Sequence, residues 1–270
     1  PGGKGSNQTV AAARSGAKAT FISKLGKDNF GDAALAMYAR EGVTVLAEQV
    51  TGNSTGAAYI FLQNGTGSNA IIVVPGAAGT ISAADVERHA DAISNAAVFV
   101  TQLEQPIPAA IRGLEIARAA GTTTILNTAP AAPHDDAIFA LCDYVTPNES
   151  EAKGITGVEV TDLASARKAG DILLKKGAGA ALITMGGQGA LLHTASSSVH
   201  VPVFSVGKVV DTTGAGDAFN GGFAAALARG ETAEAAARFG SAVAGISVTR
   251  PGAAPAIPML AETQALLAKS

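Results

Sequence analysis

The feature that most constrains the fold of this chain is the alternation of short β-branched runs with alanine-rich stretches of helical length. The run "AAVFVTQLE" precedes "PAAIRGLEIARAAG", and "TDLASARKAGDILLKKGA" precedes "AALITMGGQGALLHTA". The β-branched runs are apolar throughout, which is typical of a parallel sheet that helices cover on both faces. The pattern predicts an α/β protein with a three-layer α/β/α arrangement and a mostly parallel central sheet.

One stretch interrupts this alternation. Residues 45–78 contain β-branched runs joined by Gly, Asn and Ser turns, without a helix between them. Such strands cannot take part in a β-α-β succession, so they predict a small separate sheet. We interpret residues 45–78 as a β-strand lid over an α/β/α main domain formed by residues 1–44 and 79–270.

Composition and charge narrow the range of partners. Only 15% of the residues are charged and the net charge is −3, which gives no sign of the basic patch that nucleic acids and anionic membranes usually require. No run approaches the roughly 20 apolar residues that cross a bilayer. The single cysteine, Cys142, excludes an internal disulfide and fits a reducing cytoplasm. We therefore expect a cytoplasmic protein that acts on small molecules.

The segment "DTTGAGDAFNGGF" is the strongest candidate for a chemical site. Gly214 and Gly216 come directly before a helical run, where unpaired amides and the helix dipole attract anions. Asp217 would repel a bound anion, so its place makes sense if it takes a proton from a hydroxyl that attacks a phosphoryl group. The alternative is an ordinary helix start in which Asp217 complements the dipole.

Two further segments carry polar groups where helices should begin. In "GGKGSN", Lys4, Ser6 and Asn7 offer donors for sugar hydroxyls or a phosphate; alternatively, Ser6 caps an amphipathic helix. In "TPNESEA", Asn148 and Glu151 share one face of a starting helix and suit a hydrated Mg²⁺. There the alternative is that Asn148 caps a helix with acidic residues in its first turn.

The remaining polar motifs add Glu104 as a candidate residue and exclude two common types of nucleotide-binding site. Glu104 follows an apolar strand, where ligands of open α/β sheets bind. In "ITMGGQGALLH", Thr184, Gly186 and Gly189 lie in a turn between two strands, whereas a Rossmann fingerprint needs a helix after its glycines. No P-loop motif occurs, and the scattered histidines do not suggest a metal site. A dinucleotide-dependent oxidoreductase is therefore rejected.

Taken together, these motifs resemble the ribokinase family of carbohydrate kinases, also called the PfkB type. "GGKGSNQTVAAARSGAKATFISKLGKDNFGD" is similar to the family's N-terminal signature, and "DTTGAGDAFNGGFAAAL" is similar to its C-terminal one. The resemblance extends over essentially the whole chain, because "TQLEQP", "TPNESEA" and "ITMGGQGA" follow in family order. Within the family, "GGKGSNQ" and "TQLEQP" are most similar to the members that phosphorylate ribose.

The resemblance implies ATP-dependent phosphorylation of the primary hydroxyl of D-ribose, and it assigns roles by position. Asp217 matches the general base, and the amides of Gly214, Ala215 and Gly216 match an anion hole. The sugar-binding positions are Gly3, Lys4, Gly5, Ser6, Asn7, Glu104 and Asp217. The nucleotide positions are Asn148, Glu151, Thr184, Gly186, Gly189, Gly216 and Ser241, with Asn148 and Glu151 also acting indirectly on Mg²⁺. The potassium positions are Asp211, Thr213, Ser247, Arg250, Gly252 and Ala256, the last often serine in relatives.

Other expectations follow from the same resemblance. Family lids often pair between subunits, so we expect a homodimer. Relatives carry a first strand, with an Asn and an Asp for the sugar, before the position of Gly2; we therefore expect this sequence to be a piece of a longer protein. The open alternatives are a kinase for a ketose, deoxyribose, ketodeoxygluconate or a nucleoside, and a relative that binds sugar or nucleotide without catalysis.

Overall fold

The computed structural model describes residues 2–62, 69–131 and 133–269 and contains a mostly parallel sheet between layers of helices. The strands are β1 (Thr20–Gly26), β2 (Thr44–Val50), β3 (Ala57–Leu62), β4 (Asn69–Val74), β5 (Val98–Thr101), β6 (Thr123–Leu126), β7 (Tyr144–Val145), β8 (Ala180–Thr184), β9 (Ala190–Thr194) and β10 (Ser198–Val201). The helices are α1 (Lys4–Arg14), α2 (Asn29–Arg40), α3 (Ala83–Glu87), α4 (Ala90–Ser94), α5 (Ile107–Ala120), α6 (Glu149–Thr156), α7 (Leu163–Lys175), α8 (Ala215–Ala228), α9 (Ala233–Ser247) and α10 (Leu260–Leu267).

The largest sheet has the strand order β10-β9-β8-β7-β6-β5. Strands β5 to β8 run parallel, and β8, β9 and β10 are joined as antiparallel neighbours. The turn between β8 and β9 is a short 3-10 helix, Gly186–Gln188, which is why no crossover helix follows the glycines there. Strands β1 and β2 form a second, two-stranded parallel sheet with α2 in the connection.

Both faces of the large sheet are buried, as the apolar runs predict. Leu182 packs in one cluster with residues of α1, α2, α8 and α9, whereas its neighbour Ile183 packs in another with α5, α6 and α7. Consecutive side chains of a strand point to opposite faces, so each face has its own helical layer. The predicted three-layer α/β/α fold is therefore confirmed.

The structure corrects the boundary that the sequence places at Val45. Strand β2 pairs in parallel with β1 through a β-α-β unit, because α2 precedes it and not a turn. Strands β3 and β4 form an antiparallel hairpin that pairs with no other strand among the residues described. Residues 63–68 of the proposed lid lie outside the described part of the chain.

Close packing of glycines brings three helices together beneath the sheet. A Cβ on Gly221 of α8 would lie 2.4 Å from Ala11 Cβ of α1, and one on Gly222 would lie 2.9 Å from Val243 Cγ2 of α9. The double glycine therefore allows α1 and α9 to approach the two flanks of α8. Within the described ranges, no helix is long and apolar enough to cross a membrane.

Candidate active site

A cavity lies where the carboxyl ends of β6, β7 and β8 meet the N-terminus of α8. Ligands of open α/β sheets bind at this edge because loops and helix N-termini converge there. The lining residues come from both predicted signatures and from the segments between them: Lys4, Asn127, Ala129, Thr146, Asn148, Glu151, Thr184, Thr212, Gly214, Ala215, Gly216, Asp217 and Asn220.

The N-terminus of α8 presents free amides to this cavity. Gly214 caps the helix with φ 75°, a conformation that favours glycine, and its Cα faces Ala253 so closely that a Cβ would lie 2.8 Å from the Ala253 Cβ. The Ala215 amide donates to the Thr212 carbonyl (3.1 Å), whereas those of Gly216 and Asp217 have no acceptor in the described residues. Of the three amides that the resemblance assigns to an anion hole, that of Ala215 is thus bonded within the protein, and the neighbouring Asp217 amide is without an acceptor in the described residues.

The Asp217 carboxyl group is nearly buried at the floor of the cavity, with 7% of the residue exposed. Asn7 Nδ2 donates to its Oδ2 (2.8 Å) and Gln8 Nε2 donates to its Oδ1 (3.1 Å). Burial raises the pKa of Asp217, and the bonds from Asn7 and Gln8 partly oppose that shift. A carboxylate with a raised pKa beside free amides is suited to accept a proton.

The Asn148 and Glu151 side chains form the start of α6. Asn148 Oδ1 accepts from the Glu151 amide (2.9 Å), while Glu151 Oε2 accepts from the Asn148 amide (3.0 Å), which together make a capping box. Thr128 Oγ1 also donates to Glu151 Oε2 (3.2 Å). The capping alternative is thus what the structure contains, and both side chains still line the cavity. A hydrated ion could be held there through water.

Comparison with known proteins identifies the family. The model of the pfkB family carbohydrate kinases matches residues 1–260 of the chain. The chain belongs to the pfkB family.

Individual relatives agree with this assignment. The ribokinase of Haemophilus influenzae is 40% identical over 263 residues, which cover 97% of this chain and 85% of that protein. The deoxyribokinase of Salmonella typhi is 37% identical over 261 residues, with 96% and 85% covered. The structure of Arabidopsis thaliana ribokinase complexed with ribose and ATP superposes with a TM-score of 0.90 at 30% identity and covers 98% of this chain and 87% of that one. The resemblance inferred from the motifs is confirmed.

The pfkB sugar positions divide into two groups in the structure. Gly3 caps α1 with φ 93°, the Lys4 amide donates to Glu104 Oε2 (2.8 Å), and Asn7 donates to Asp217; of these residues, Lys4 and Asp217 line the cavity. Ser6 instead faces α2, where its Oγ accepts from the Tyr38 hydroxyl (2.9 Å).

Gly5 faces the protein interior as well. A Cβ there would lie 3.1 Å from Gln102 Oε1 and 3.2 Å from Phe21 Cε2. Helix α1 starts at Lys4, so Ser6 lies in its first turn and does not cap it. The structure therefore gives Gly5 and Ser6 packing contacts and does not bring them into the cavity lining.

The pfkB nucleotide positions are divided: four line the cavity, namely Asn148, Glu151, Thr184 and Gly216, and the other three do not. Thr184 lines the cavity, whereas Gly186 and Gly189 belong to the turn that follows β8. Gly189 has φ 89°, and a Cβ at this position would lie only 2.2 Å from the Val201 carbonyl oxygen. Ser241 Oγ donates to the Pro202 carbonyl (2.8 Å) and so fastens α9 to the end of β10. These positions do not form one cavity with Thr184.

Three of the predicted potassium positions, Asp211, Thr213 and Gly252, are hydrogen-bonded to one another. Asp211 accepts from the Thr213 amide through Oδ1 and from the Gly252 amide through Oδ2 (both 2.9 Å), and bonds from Thr213 and Gly252 lower the pKa of Asp211. The Arg250 side chain pairs with Glu262, and Ser247 Oγ donates to Ala244 O (2.8 Å). Only the backbone of Arg250 is then free to face a cation.

The loop that contains Ala256 is held by hydrogen bonds from the Arg14 side chain of α1. Arg14 Nη1 donates to the carbonyls of Ala254 (3.1 Å) and Ile257 (2.7 Å), and the rest of its guanidinium bonds Glu41. No cluster of three His, Cys, Asp or Glu residues with metal-binding geometry occurs in the part of the chain that the structure describes.

Sequence reasoning missed five polar residues around Asp217, namely Gln8, Gln102, Asn127, Thr146 and Asn220. Asn127 and Thr146 directly follow β6 and β7, so the argument that singled out Glu104 after β5 applies to them too. Gln8 and Asn220 lie within the two signatures but after the predicted helix starts, and no charge distinguishes them from solvent-facing helix residues.

Proposed function

We propose that this protein transfers the γ-phosphoryl group of ATP to the primary hydroxyl of D-ribose and so forms ribose 5-phosphate. The observation that supports it most directly is one cavity in which the Asp217 carboxyl group lies at the free N-terminus of α8. Relatives named ribokinase are about 40% identical, and an Arabidopsis thaliana relative has been solved with ribose and ATP.

The chemistry follows from these groups. Asp217 accepts the proton of the sugar hydroxyl while the hydroxyl oxygen forms its bond to the γ-phosphorus. The bond between that phosphorus and the β–γ bridging oxygen breaks, and its electron pair leaves with ADP. The free amides of Gly214, Gly216 and Asp217 stabilise the negative charge on the transferring oxygens. We assign the sugar to Gly3, Lys4, Asn7 and Glu104.

We place the nucleotide on the side of Asp217 that faces away from the proposed sugar positions. Thr184, Gly186, Gly189 and Ser241 are assigned to ATP, with Thr184 closest to the transferred group. Asn148 and Glu151 offer an amide and a carboxylate to water molecules of a bound Mg²⁺, and such hard oxygen donors fit that ion. When bound, Mg²⁺ neutralises charge on the β- and γ-phosphates.

We also assign a potassium ion to the region beside the proposed anion site. The Asp211 carboxylate, whose pKa is lowered, accepts hydrogen bonds from the backbone amides of Thr213 and Gly252, and we assign Arg250 to the same ion through its backbone. We assign the remaining positions to Ser247 and Ala256, whose alanine side chain leaves only a carbonyl oxygen as a ligand. Turnover measured in KCl and in NaCl at equal ionic strength tests this, and equal rates would remove the assignment.

We assign residues 51–78 to a lid that also forms a homodimer contact, with β2 excluded for the reason given above. The side chains of Ile72, Val73 and Val74 are exposed on the β3–β4 hairpin, an apolar surface that a second copy would cover. Sedimentation velocity of the wild type and of Ile72→Glu tests the contact: we expect a dimer and a monomer. A monomeric wild type contradicts it.

We also propose that the protein works in the cytoplasm. Its one cysteine, Cys142, is a buried free thiol whose pKa burial raises to about 12, and a free thiol is typical of proteins in reducing compartments. Fractionation of the cells that produce the chain, followed by immunoblotting, tests the location.

The substrate is tested with a panel of acceptors. ADP release is followed with ribose, 2-deoxyribose, fructose, ketodeoxygluconate and adenosine, and ³¹P NMR locates the new phosphate ester. We expect kcat/KM for ribose to exceed those of fructose and adenosine by at least about 100-fold, as a site that pairs with each hydroxyl discriminates strongly. Equal turnover would remove the ribose assignment.

The second candidate is 2-deoxyribose, because the Salmonella typhi deoxyribokinase is 37% identical over nearly the same length. A higher kcat/KM for deoxyribose in the same panel selects it. If calorimetry detects sugar and ATP binding and no acceptor is phosphorylated, the protein is a non-catalytic binder and the kinase proposal fails.

A further inference from the structure

A chain of buried side-chain amides lies behind Asp217, and none of its members has a role in the proposal above. Gln102 Nε2 donates to Gln8 Oε1 (2.7 Å), and Gln8 Nε2 donates both to Asp217 Oδ1 and to Asn127 Oδ1 (3.1 Å each). All four residues are buried. Buried amides of this kind are expected to be hydrogen-bonded, and here Gln8 links Gln102 and Asn127 to the Asp217 carboxyl group.

Gln102 determines which end of Gln8 faces Asp217. An amide nitrogen only donates and an amide oxygen only accepts. With Gln102 Nε2 on the Gln8 oxygen, both hydrogens of Gln8 Nε2 are directed at Asp217 and Asn127. A rotated Gln8 amide would set its oxygen against the carboxylate and its nitrogen against that of Gln102, and both contacts would be repulsive.

A second branch connects the same amide to the helix turn that presents the free amides. Asn127 Nδ2 donates to the Thr146 carbonyl (2.8 Å), and Thr146 Oγ1 donates to Asn220 Oδ1 (2.6 Å). Asn220 Nδ2 then donates to the Gly216 carbonyl (2.8 Å). The orientation of the Asp217 carboxyl group and that of the first turn of α8 are thus fixed by one connected network.

We propose that Gln8, held in one orientation by Gln102, is a positioning residue that fixes the Asp217 carboxylate for proton abstraction. The proposal rests on the assignment of Asp217 as the base. Gln8 does not contact the cavity itself, since the lining includes Asp217 and Asn127 but not Gln8. The Gln8 nitrogen donates to Asp217 and Asn127, so Gln8 acts through Asp217; Asn7 is likewise absent from the lining, and its assignment to the sugar rests on its place in the family motif.

The charge environment agrees with this role. Burial raises the pKa of Asp217, and the bond from Gln8 is one of two hydrogen bonds that lower it. The charged groups that face Asp217 are Lys4 of α1 and Glu104 after β5, and Glu151 of α6 lines the same cavity. Gln8 supplies a donor to the carboxylate without adding a further charge.

The test is the pH dependence of turnover in Gln8→Met, which keeps the side-chain length and removes both donors. We expect kcat to fall by about 10-fold near neutral pH, the rate equivalent of one hydrogen bond to a charged group. The acid limb of kcat/KM should move to higher pH, since Asp217 loses a bond that favours its ionised form. The KM for ATP should stay within about twofold. Gln264→Met, on the exposed face of α10, is the matched control.

Gln102→Met is the second variant and covers the case in which Gln8→Met fails to fold. It leaves Gln8 free to rotate, so it should move the acid limb in the same direction by a smaller amount. If the acid limbs of both variants coincide with that of the wild type, the positioning role is refuted. An active Asp217→Asn would instead refute the base itself, so the two failures are distinguishable.

Discussion

The change Asp217→Asn tests the proposed base most directly. Asparagine has the same shape, but its amide nitrogen must replace one carboxylate oxygen, and both oxygens accept a hydrogen bond from Asn7 or Gln8. Gln8 is fixed by Gln102, whereas Asn7 Oδ1 is buried without a partner. We therefore expect Asn7 to rotate its amide and accept from the new nitrogen, which leaves the surrounding structure intact.

The expected loss is confined to turnover. General-base catalysis contributes roughly 10²–10⁴-fold, which corresponds to about 2.7–5.5 kcal/mol of transition-state stabilisation. One imperfectly paired amide costs about 1 kcal/mol, so the Kd for ATP should change by no more than several-fold. The variant should thus lower kcat at least 100-fold with ATP binding retained.

The assay combines steady-state ADP release with calorimetric titration of ATP. Asp32→Asn is the matched control, because Asp32 also lies in the first turn of a helix but is exposed. We expect the control to keep wild-type turnover. If Asp217→Asn keeps more than about a tenth of wild-type kcat, the carboxylate is not the base and the reasoning from the cavity is refuted.

Asp217→Asn should lower turnover but raise the free energy of unfolding relative to the wild type as pH increases. Burial raises the pKa of Asp217, so folding favours its protonated form, and the wild type loses stability as pH rises from the ordinary value through the raised one. Asparagine has no charge to bury. Urea unfolding at a series of pH values should show that the stability of Asp217→Asn relative to the wild type increases with pH across this window and is constant above it. A difference independent of pH would contradict the raised pKa.

Three other changes probe the surroundings of the site. Gly216→Ala should keep or raise the midpoint of urea unfolding, because nothing lies within 4 Å of a Cβ at this position. The added methyl group should nevertheless crowd the phosphate and lower kcat/KM for ATP about 10-fold. The control is Gly154→Ala, which is equally open and also in a helix and should leave the kinetics unchanged. Gly221→Ala should cost about 1–3 kcal/mol in urea unfolding, and a neutral effect would refute the close approach of the helices. Arg14→Met should lower the free energy of unfolding by about 3 kcal/mol, whereas Arg167→Met, at an exposed position, should lower it by less than about 0.5 kcal/mol. Equal losses would contradict a stabilising role of the Arg14 hydrogen bonds.

Much of the fold was accessible from the sequence because its apolar runs are short, continuous and separated by helices. Runs such as "AALIT" cannot be amphipathic in a strand, and the structure buries Leu182 and Ile183 on opposite faces. The same reasoning assigned β2 wrongly to the lid. The run after Gly42 is half polar and followed by turns, so only its parallel pairing with β1 reveals that it completes a β-α-β unit.

The candidate site is predictable from the sequence mainly where residues carry charge or backbone freedom or stand at a predicted helix start. Asp217, Lys4 and Gly214 were identified in this way, and all three line the cavity. Ser6 was misplaced because a helix that starts at Lys4 turns it toward Tyr38, a partner 32 positions away. The Gln8 and Gln102 amides meet across 94 positions, and no spacing rule on one chain predicts such a contact.

The double glycine of α8 also determines which parts of the molecule can move during a reaction cycle. A helix packed this closely against neighbours on two flanks cannot roll or slide without overlap, so Asp217 and the first turn of α8 keep their positions. If the β3–β4 hairpin closes over a substrate, as we propose, the segment before it is held by the hydrogen bonds that Thr55 donates to the Asp28 carboxylate. Substitutions at Thr55 or Asp28 would then change the rate at which the hairpin opens and closes, although neither residue lines the cavity.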